Sequence, residues 1–287
     1  MANCMIGFPN RTDASTLSGG AWVATLPLSN LKVRTLGRVA RSVDLSLSST
    51  QFDIDLGSSK NIGLVGVVNH NFSFTASYRL RGSNVSDFST IVFDSGVGFS
   101  DVWQIVYPFG TLEWEDDNWW SGKYTPDEID GYTPTLPIVL PSAKLARYWR
   151  LEISDATNPA GYVQLGRLFI GPVWQPEVNM SYGASLGLET DTGVQKARSG
   201  AEYFDRRMPY RVQKFSLDWM SQDEAFSRAF EMQRRAGIDQ EIFWIHDPDD
   251  TTHALRRQFL ARLRALSAIE FPYFDINKSG FEVKELI

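Results

Sequence analysis

Short β-prone runs fill residues 20–175, and clusters of Gly, Ser, Asn, Asp and Pro separate them. No apolar period of 3.6 residues lasts for three turns here, so the segment predicts strands. In residues 51–56 apolar and acidic side chains alternate, as in a strand with one face in water, whereas residues 62–68 are apolar on both faces and predict a central strand. Many strands with frequent turns favour a β-sandwich or jelly roll. Further strands are predicted over residues 42–47, 73–80, 90–93, 148–153 and 163–170.

A long segment over about residues 99–141 interrupts this pattern and is rich in Trp, Asp, Gly, Tyr and Pro. It predicts a loop insertion at one end of the sandwich, and loops of this length commonly contact a partner. Trp and Tyr dominate the energetics of many interfaces, so this loop is the candidate binding site. The alternative is a local cluster that only covers the end of the sandwich. The candidate binding residues are Trp114, Trp119, Trp120 and Tyr124.

Residues 171–176 contain a glycine and two prolines and predict a domain boundary, with an N-terminal arm over residues 1–19. Residues 176–287 predict a smaller α+β domain with one clear helix. Ser221 and Glu224 have the spacing of a capping box, and Gly237 is the expected end of the helix. The fold class is therefore mainly β, a jelly roll followed by an α+β domain. Strands are predicted in a hairpin over 179–219 and at 241–245 and 281–286, whereas 253–268 fits a helix or a strand.

Composition excludes several classes of function. The chain has 287 residues, enough for a sizeable core, and a formal net charge of −6, which gives no basic field for nucleic acid or anionic membranes. No apolar run approaches the roughly 20 residues of a membrane-spanning helix, and the first residues lack the features of a secretory signal. The single cysteine excludes an internal disulfide. We expect a protein that folds in a cytoplasm, without nucleic acid and without membrane insertion.

The sequence offers little for catalysis. His70, His246 and His253 are accompanied by no nucleophile motif, so a catalytic triad is not expected. The acids around His246 and His253 form ordinary turn chemistry, so we expect no metal site, and no phosphate-binding glycine motif indicates a cofactor. Glu113 and Asp117 beside the tryptophans raise glycoside hydrolysis as a distant third hypothesis. That reaction uses two carboxylates on opposite sides of the bond, and consecutive acids on one loop are a poor match for this arrangement.

Three stretches resemble the galactose-binding-like, discoidin-type jelly roll, especially its versions in structural proteins of tailed bacteriophages. The resemblance covers about residues 20–175 and implies that these stretches are signatures of the fold, with His70 as a packing residue at a strand end. Residues 176–287 look like the single-helix modules of phage tail-tip and baseplate proteins, which form rings. The three stretches are residues 61–71, residues 78–83 with 93–96, and residues 146–153 with 161–171.

The resemblance implies a non-enzymatic structural component of a phage virion, in the tail tip or baseplate. Its expected partners are other tail proteins and further copies of itself in a ring, and its expected location is the virion tail after assembly in the bacterial cytoplasm. The main alternative is a glycan-binding adhesin module that contacts a host glycan through the aromatic segment Trp114–Tyr124. The two hypotheses share a binding function and differ in the ligand.

Overall fold

The computed structural model describes residues 2–96 and 98–287 and is mainly β. Its strands are β1 Met5–Gly7, β2 Thr16–Ser18, β3 Ala40–Arg41, β4 Phe52–His70, β5 Ser77–Ser83, β6 Ile91–Asp94, β7 Ser100–Asp101, β8 Thr135–Ser154, β9 Gln164–Gly171, β10 Val173–Trp174, β11 Ser185–Glu189, β12 Gly193–Lys196, β13 Glu202–Asp205, β14 Tyr210–Met220, β15 Glu241–Ile245, β16 Gln258–Leu263, β17 Glu270–Tyr273 and β18 Ile276–Glu285. A 3-10 helix spans Leu28–Lys32, and short helices are α1 Leu47–Thr50, α2 Pro126–Ile129, α3 Glu231–Ala236, which continues a π-helix over Glu224–Phe230, and α4 Ala254–Arg257. Within the described residues, no helix has the length and apolar character to cross a membrane.

Two long strands, β4 and β8, build the jelly roll. The first part of β4 pairs with β2 and with the last part of β8, whereas its second part pairs with β9 and with the first part of β8. The register of the β4–β8 pair shifts between these parts, where residues 57–59 and 141–143 are exposed. Each strand therefore passes from one layer of the sandwich to the other.

The jelly-roll core confirms the predicted alternation. Phe52 and Ile54 of β4 are fully buried, and they pack in one cluster with Trp149 and Leu151 of β8. On the opposite face of β4, Asp53 and Asp55 form ion pairs with arginines of β8. The predicted central strand over residues 62–68 is confirmed as well, because it lies between β8 and β9.

The second sheet has the order β10-β1-β15-β16-β18-β14-β11, with β17 paired to β18. The predicted arm over residues 1–19, whose first residue lies outside the described part, contributes β1 to this sheet and β2 to the jelly roll. The predicted helix packs on this sheet and ends at Gly237, which has a positive φ of 53°. Ser221 accepts a hydrogen bond from the Glu224 amide, but Glu224 does not close the capping box. Its carboxylate instead accepts hydrogen bonds from the Trp174 indole and the Glu177 amide.

Two other sequence predictions need correction, those for residues 42–47 and for the length of the loop insertion, and the open assignment of residues 253–268 is resolved. Residues 42–47 do not form a strand, because Val43 and Leu47 are exposed and Asp44 accepts a hydrogen bond from the Ser46 amide in a turn that leads into α1. Residues 253–268, which fit a helix or a strand, contain both: the single turn α4 comes first and β16 follows directly. The loop insertion is shorter than predicted and lies between β7 and β8.

The two sheets share a third buried cluster. Leu64 and Phe169 of the jelly roll pack against Phe243 and Leu260 of the second sheet. The Phe169 and Phe243 rings lie 5.4 Å apart between centroids. Gly66 allows this approach, because a Cβ atom at this position would lie 2.5 Å from the Phe243 ring. The jelly roll and the second sheet are therefore packed directly on each other.

Candidate functional site

An aromatic cluster forms the most exposed apolar feature of the loop between β7 and β8. The Trp119 ring contacts both other tryptophans edge to face, at centroid distances of 4.9 Å to Trp114 and 4.6 Å to Trp120. Phe109 extends the cluster at 5.7 Å from Trp119. The side chains of Phe109, Trp114 and Trp120 are 90%, 68% and 82% exposed, whereas Trp119 is half-buried beneath them. Three ring faces are therefore open to a ligand around one supporting ring.

Backbone hydrogen bonds close the loop that holds these rings. The Gly122 carbonyl accepts from the amides of Val106 and Tyr107, each at 2.8 Å. Gly122 has a φ of 60°, and a Cβ atom there would lie 2.6 Å from the Tyr107 carbonyl oxygen, so the turn requires glycine. The buried Asn118 side chain donates to the Lys123 carbonyl at 2.7 Å. The cluster is thus presented by a closed loop.

The base of the loop between β7 and β8 is anchored to the second domain. Val106 and Tyr124 form a small buried cluster with Leu255 of the second domain. The Tyr124 hydroxyl donates to the Thr252 carbonyl, and the Arg256 guanidinium lies 5.3 Å from the centre of the Tyr124 ring. Burial is the largest of the effects that raise the pKa of Tyr124.

Of the four predicted binding residues, the structure brings together the three tryptophans and separates Tyr124 from them. Tyr124 is only 5% exposed, so its ring is not available for stacking on a ligand. The predicted stacking role of Tyr124 is therefore corrected to an anchor. Sequence reasoning missed Phe109, although it lies between Pro108 and Gly110 in the same loop, a turn context in which an aromatic side chain points outward.

Acidic side chains surround the aromatic cluster. Residues 102–134 contain seven carboxylates and one lysine, which equals the formal net charge of −6 of the whole chain. Glu113, Glu115, Asp116 and Asp117 are all exposed, and none of them forms an ion pair within the described residues. The exposed rings are therefore bordered by hydrogen-bond acceptors that are free to bind hydroxyl or amine groups.

Two of the three histidines, His70 and His246, lie in buried or partly buried surroundings. His70 is buried at the end of β4, where its ring stacks on Phe72 at 4.2 Å, and burial lowers its pKa to about 3. Burial is also the main cause that lowers the pKa of His246. In residues 2–96 and 98–287, no group of three or more His, Cys, Asp or Glu side chains has a metal-binding arrangement.

The sequence matches no family model, and it matches no curated protein. Solved structures of carbohydrate-binding modules are similar to it in fold. One, from a family 31 glycoside hydrolase of Clostridium perfringens, is 13% identical with a TM-score of 0.38 and covers 57% of this chain and 99% of its own. A family 32 module from C. perfringens in complex with galactose has 12% identity, a TM-score of 0.37 and coverages of 59% and 99%. A fucose-binding module from Streptococcus pneumoniae has 11% identity, a TM-score of 0.36 and coverages of 57% and 94%. None of these three structures is a phage tail protein.

Proposed function

We propose that this protein is a non-catalytic carbohydrate-binding protein and that Trp114 and Trp120 bind the sugar. The observation that carries the proposal is the closed loop that exposes these two rings, each edge to face with a half-buried Trp119. The C–H face of a sugar ring is apolar and stacks on indole, whereas its rim of hydroxyl groups needs acceptors. Glu115 and Asp117 are exposed beside the rings and supply such acceptors.

A glycan array with the full-length chain tests this proposal, followed by titration with the best glycan. The double variant Trp114→Ala/Trp120→Ala is expected to lose at least tenfold in affinity, which corresponds to about 1.4 kcal/mol. The matched control is Trp219→Ala, which removes a tryptophan of similar exposure, 56%, from β14 of the second sheet. Equal affinity of the double variant and the control would contradict the proposal, and so would an array without any binding.

The proposal that the site binds without cleaving also has a direct test. Glu113 and Asp116 lie in one turn, in which the Glu113 amide donates to the Asp116 carboxylate at 2.9 Å. Glycoside hydrolysis uses two carboxylates on opposite sides of the bond, which a single turn supplies poorly. We expect no release of reducing sugar from any bound glycan. Release by the wild type that is lost in Glu113→Gln/Asp117→Asn would support a glycosidase instead.

A second candidate function is assembly within a phage virion, in the tail tip or baseplate. The β12–β13 hairpin favours it, because β12 and β13 pair only with each other among the described strands and expose Val194, Tyr203 and Phe204. Exposed apolar surface of this kind is typical of protein interfaces. In this proposal the chain is assembled in the host cytoplasm, and its partners are tail proteins and further copies of itself in a ring.

Light scattering over a range of concentrations tests the assembly proposal. We expect an oligomer, alone or with tail proteins, that is weakened by Tyr203→Ser/Phe204→Ser. The control is Phe109→Ser, which removes an even more exposed ring from the aromatic cluster. A strict monomer that ignores tail proteins but is retained on a glycan column would contradict assembly and support carbohydrate binding.

A further inference from the structure

A cleft of about 320 Å³ lies between the N-terminal strand and the helix of the second domain, outside the aromatic loop. Its apolar lining includes Ile6 of β1, Val173 of β10 and Met232 of α3. Three arginines line the same cleft, Arg11, Arg228 and Arg235. The cleft thus combines an apolar wall with a concentration of positive charge.

None of these arginines forms an ion pair within the described residues, although Arg235 lies near enough to Glu231 to help Arg234 lower the pKa of that carboxyl. The side chains of Arg11, Arg228 and Arg235 form neither an ion pair nor a hydrogen bond there, and the Arg11 Nε atom is buried without a partner. The one carboxylate in the lining, Glu231, is bound by Arg234 at 2.7 Å. A buried donor without an acceptor costs stability, so a site of this kind is complete only when an acceptor is supplied from outside.

The electrostatic environment of Arg11 also favours an anion supplied from outside. Burial and the like charge of Arg235 lower the pKa of Arg11, which means that both effects oppose the positive charge that Arg11 carries. An anion between the two guanidinium groups would offset both effects. Arginine presents a planar fork of donors that matches carboxylate and phosphate oxygens.

We propose that this cleft binds an organic anion, with a carboxylate or phosphate group between Arg11 and Arg235 and an apolar group against Ile6, Val173 and Met232. The site is separate from the aromatic cluster, because no residue of the loop between β7 and β8 lines it. The proposal of an anion site therefore does not depend on whether the tryptophans bind sugar.

Calorimetric titration of the full chain with three probes tests the proposal: phenylacetate, phenyl phosphate and the neutral phenylacetamide. At least one of the two anions is expected to bind at concentrations up to about 10 mM, and at least tenfold more tightly than the amide. The two anions together distinguish a carboxylate site from a phosphate site. Equal binding of anion and amide, or no binding of either anion, would overturn the proposal.

Two variants and one control locate the binding. Arg235→Gln and Arg11→Gln are each expected to weaken anion binding at least tenfold. Because Arg235 is exposed, Arg235→Gln still tests the site if Arg11→Gln folds poorly. Arg198→Gln removes the same charge from the exposed turn between β12 and β13 and should bind as the wild type does. An Arg235→Gln protein that binds the anion as the wild type does would exclude the cleft as the site.

Discussion

Arg167 of β9 and Glu241 of β15 form a buried ion pair where the jelly roll meets the second sheet. Both side chains are almost completely buried, and the Arg167 Nε donates to both carboxylate oxygens at 3.1 Å. The guanidinium also donates to the Leu31 carbonyl at 3.0 Å and contacts Asp13 at 2.7 Å. Burial opposes the charge of Arg167, but Glu241 and Asp13 together outweigh it and raise its pKa above the ordinary value. The pair therefore links β9 of the jelly roll to β15 of the second sheet by a buried polar contact.

Removal of one partner of this pair should destabilise the fold strongly. We expect Glu241→Ala to lower the free energy of unfolding by about 3–5 kcal/mol, since it leaves a buried guanidinium without its main partner. The double variant Arg167→Met/Glu241→Leu should lose less than the single variant. Urea denaturation measures both. As a control, Glu231→Ala breaks an exposed pair with Arg234 and should change the stability little, because solvent screens this pair. Similar losses in Glu241→Ala and Glu231→Ala would contradict the prediction.

The buried His70 should make stability depend on pH. Burial lowers its folded pKa from 6.5 to about 3, so the unfolded chain binds a proton between these values that the folded chain does not. Stability contributed by neutral His70 is fully present above pH 6.5 and falls as the pH decreases toward 3, by about 1.4 kcal/mol per pH unit. In His70→Asn this dependence should be lost. Urea denaturation of both proteins at several pH values gives the difference in slope, and identical slopes would show that His70 does not titrate on unfolding.

Cys4 should react with thiol reagents only when the protein unfolds. Its side chain is completely buried in the core of the second sheet, and burial raises its pKa to about 12. Because the thiolate is the reactive form, the native thiol is both inaccessible and protonated at neutral pH. Labelling with a chromogenic disulfide reagent should be complete in urea and negligible in buffer on the same timescale. Rapid labelling in buffer would mean that β1 separates easily from the sheet.

Gly66 should be intolerant of a side chain. A methyl group there would overlap the Phe243 ring, so Gly66→Ala is expected to cost about 1–3 kcal/mol of stability. The double variant Gly66→Ala/Phe243→Leu should be more stable than the sum of the two single effects, because the smaller side chain relieves the overlap. Gly187→Ala in β11 is the control, since no atom lies within 4 Å of the added group. If the effects of the two substitutions simply added, the loss of stability in Gly66→Ala would not come from overlap with the Phe243 ring.

Periodicity predicted the strands whose two faces differ most in burial. The alternation of residues 51–56 and the apolar run over residues 62–68 were both confirmed, but nothing in the pattern showed that they form one bent strand, β4. The corner between them consists of exposed polar residues, which look like a loop in the sequence. Long-range pairing with β8 keeps this corner extended, and such pairing is not visible in local periodicity.

The candidate site was predictable only in part, because local composition does not show contacts between residues that are distant in sequence. The composition of the loop predicted the tryptophans as candidates, and the structure places them in one cluster, because aromatic residues beside acids stand out from a strand pattern. Composition could not separate Tyr124 from them, since its burial depends on Leu255 and Thr252, which are distant in sequence. The arginine-lined cleft left no sequence signal, because its residues come from four separate segments.

The position of β1 has a consequence for the order of folding during synthesis. Ile6 lies between Trp174 of β10 and Trp244 of β15, so β1 must wait for both of its neighbours until the jelly roll has been synthesised. The second sheet is therefore a discontinuous folding unit. The jelly roll can acquire its own core first, whereas Ile6 and Cys4 remain without theirs until late in translation. A nascent chain of this protein therefore exposes the apolar residues of β1 until β15 has been synthesised, and during that interval a chaperone would have to protect them.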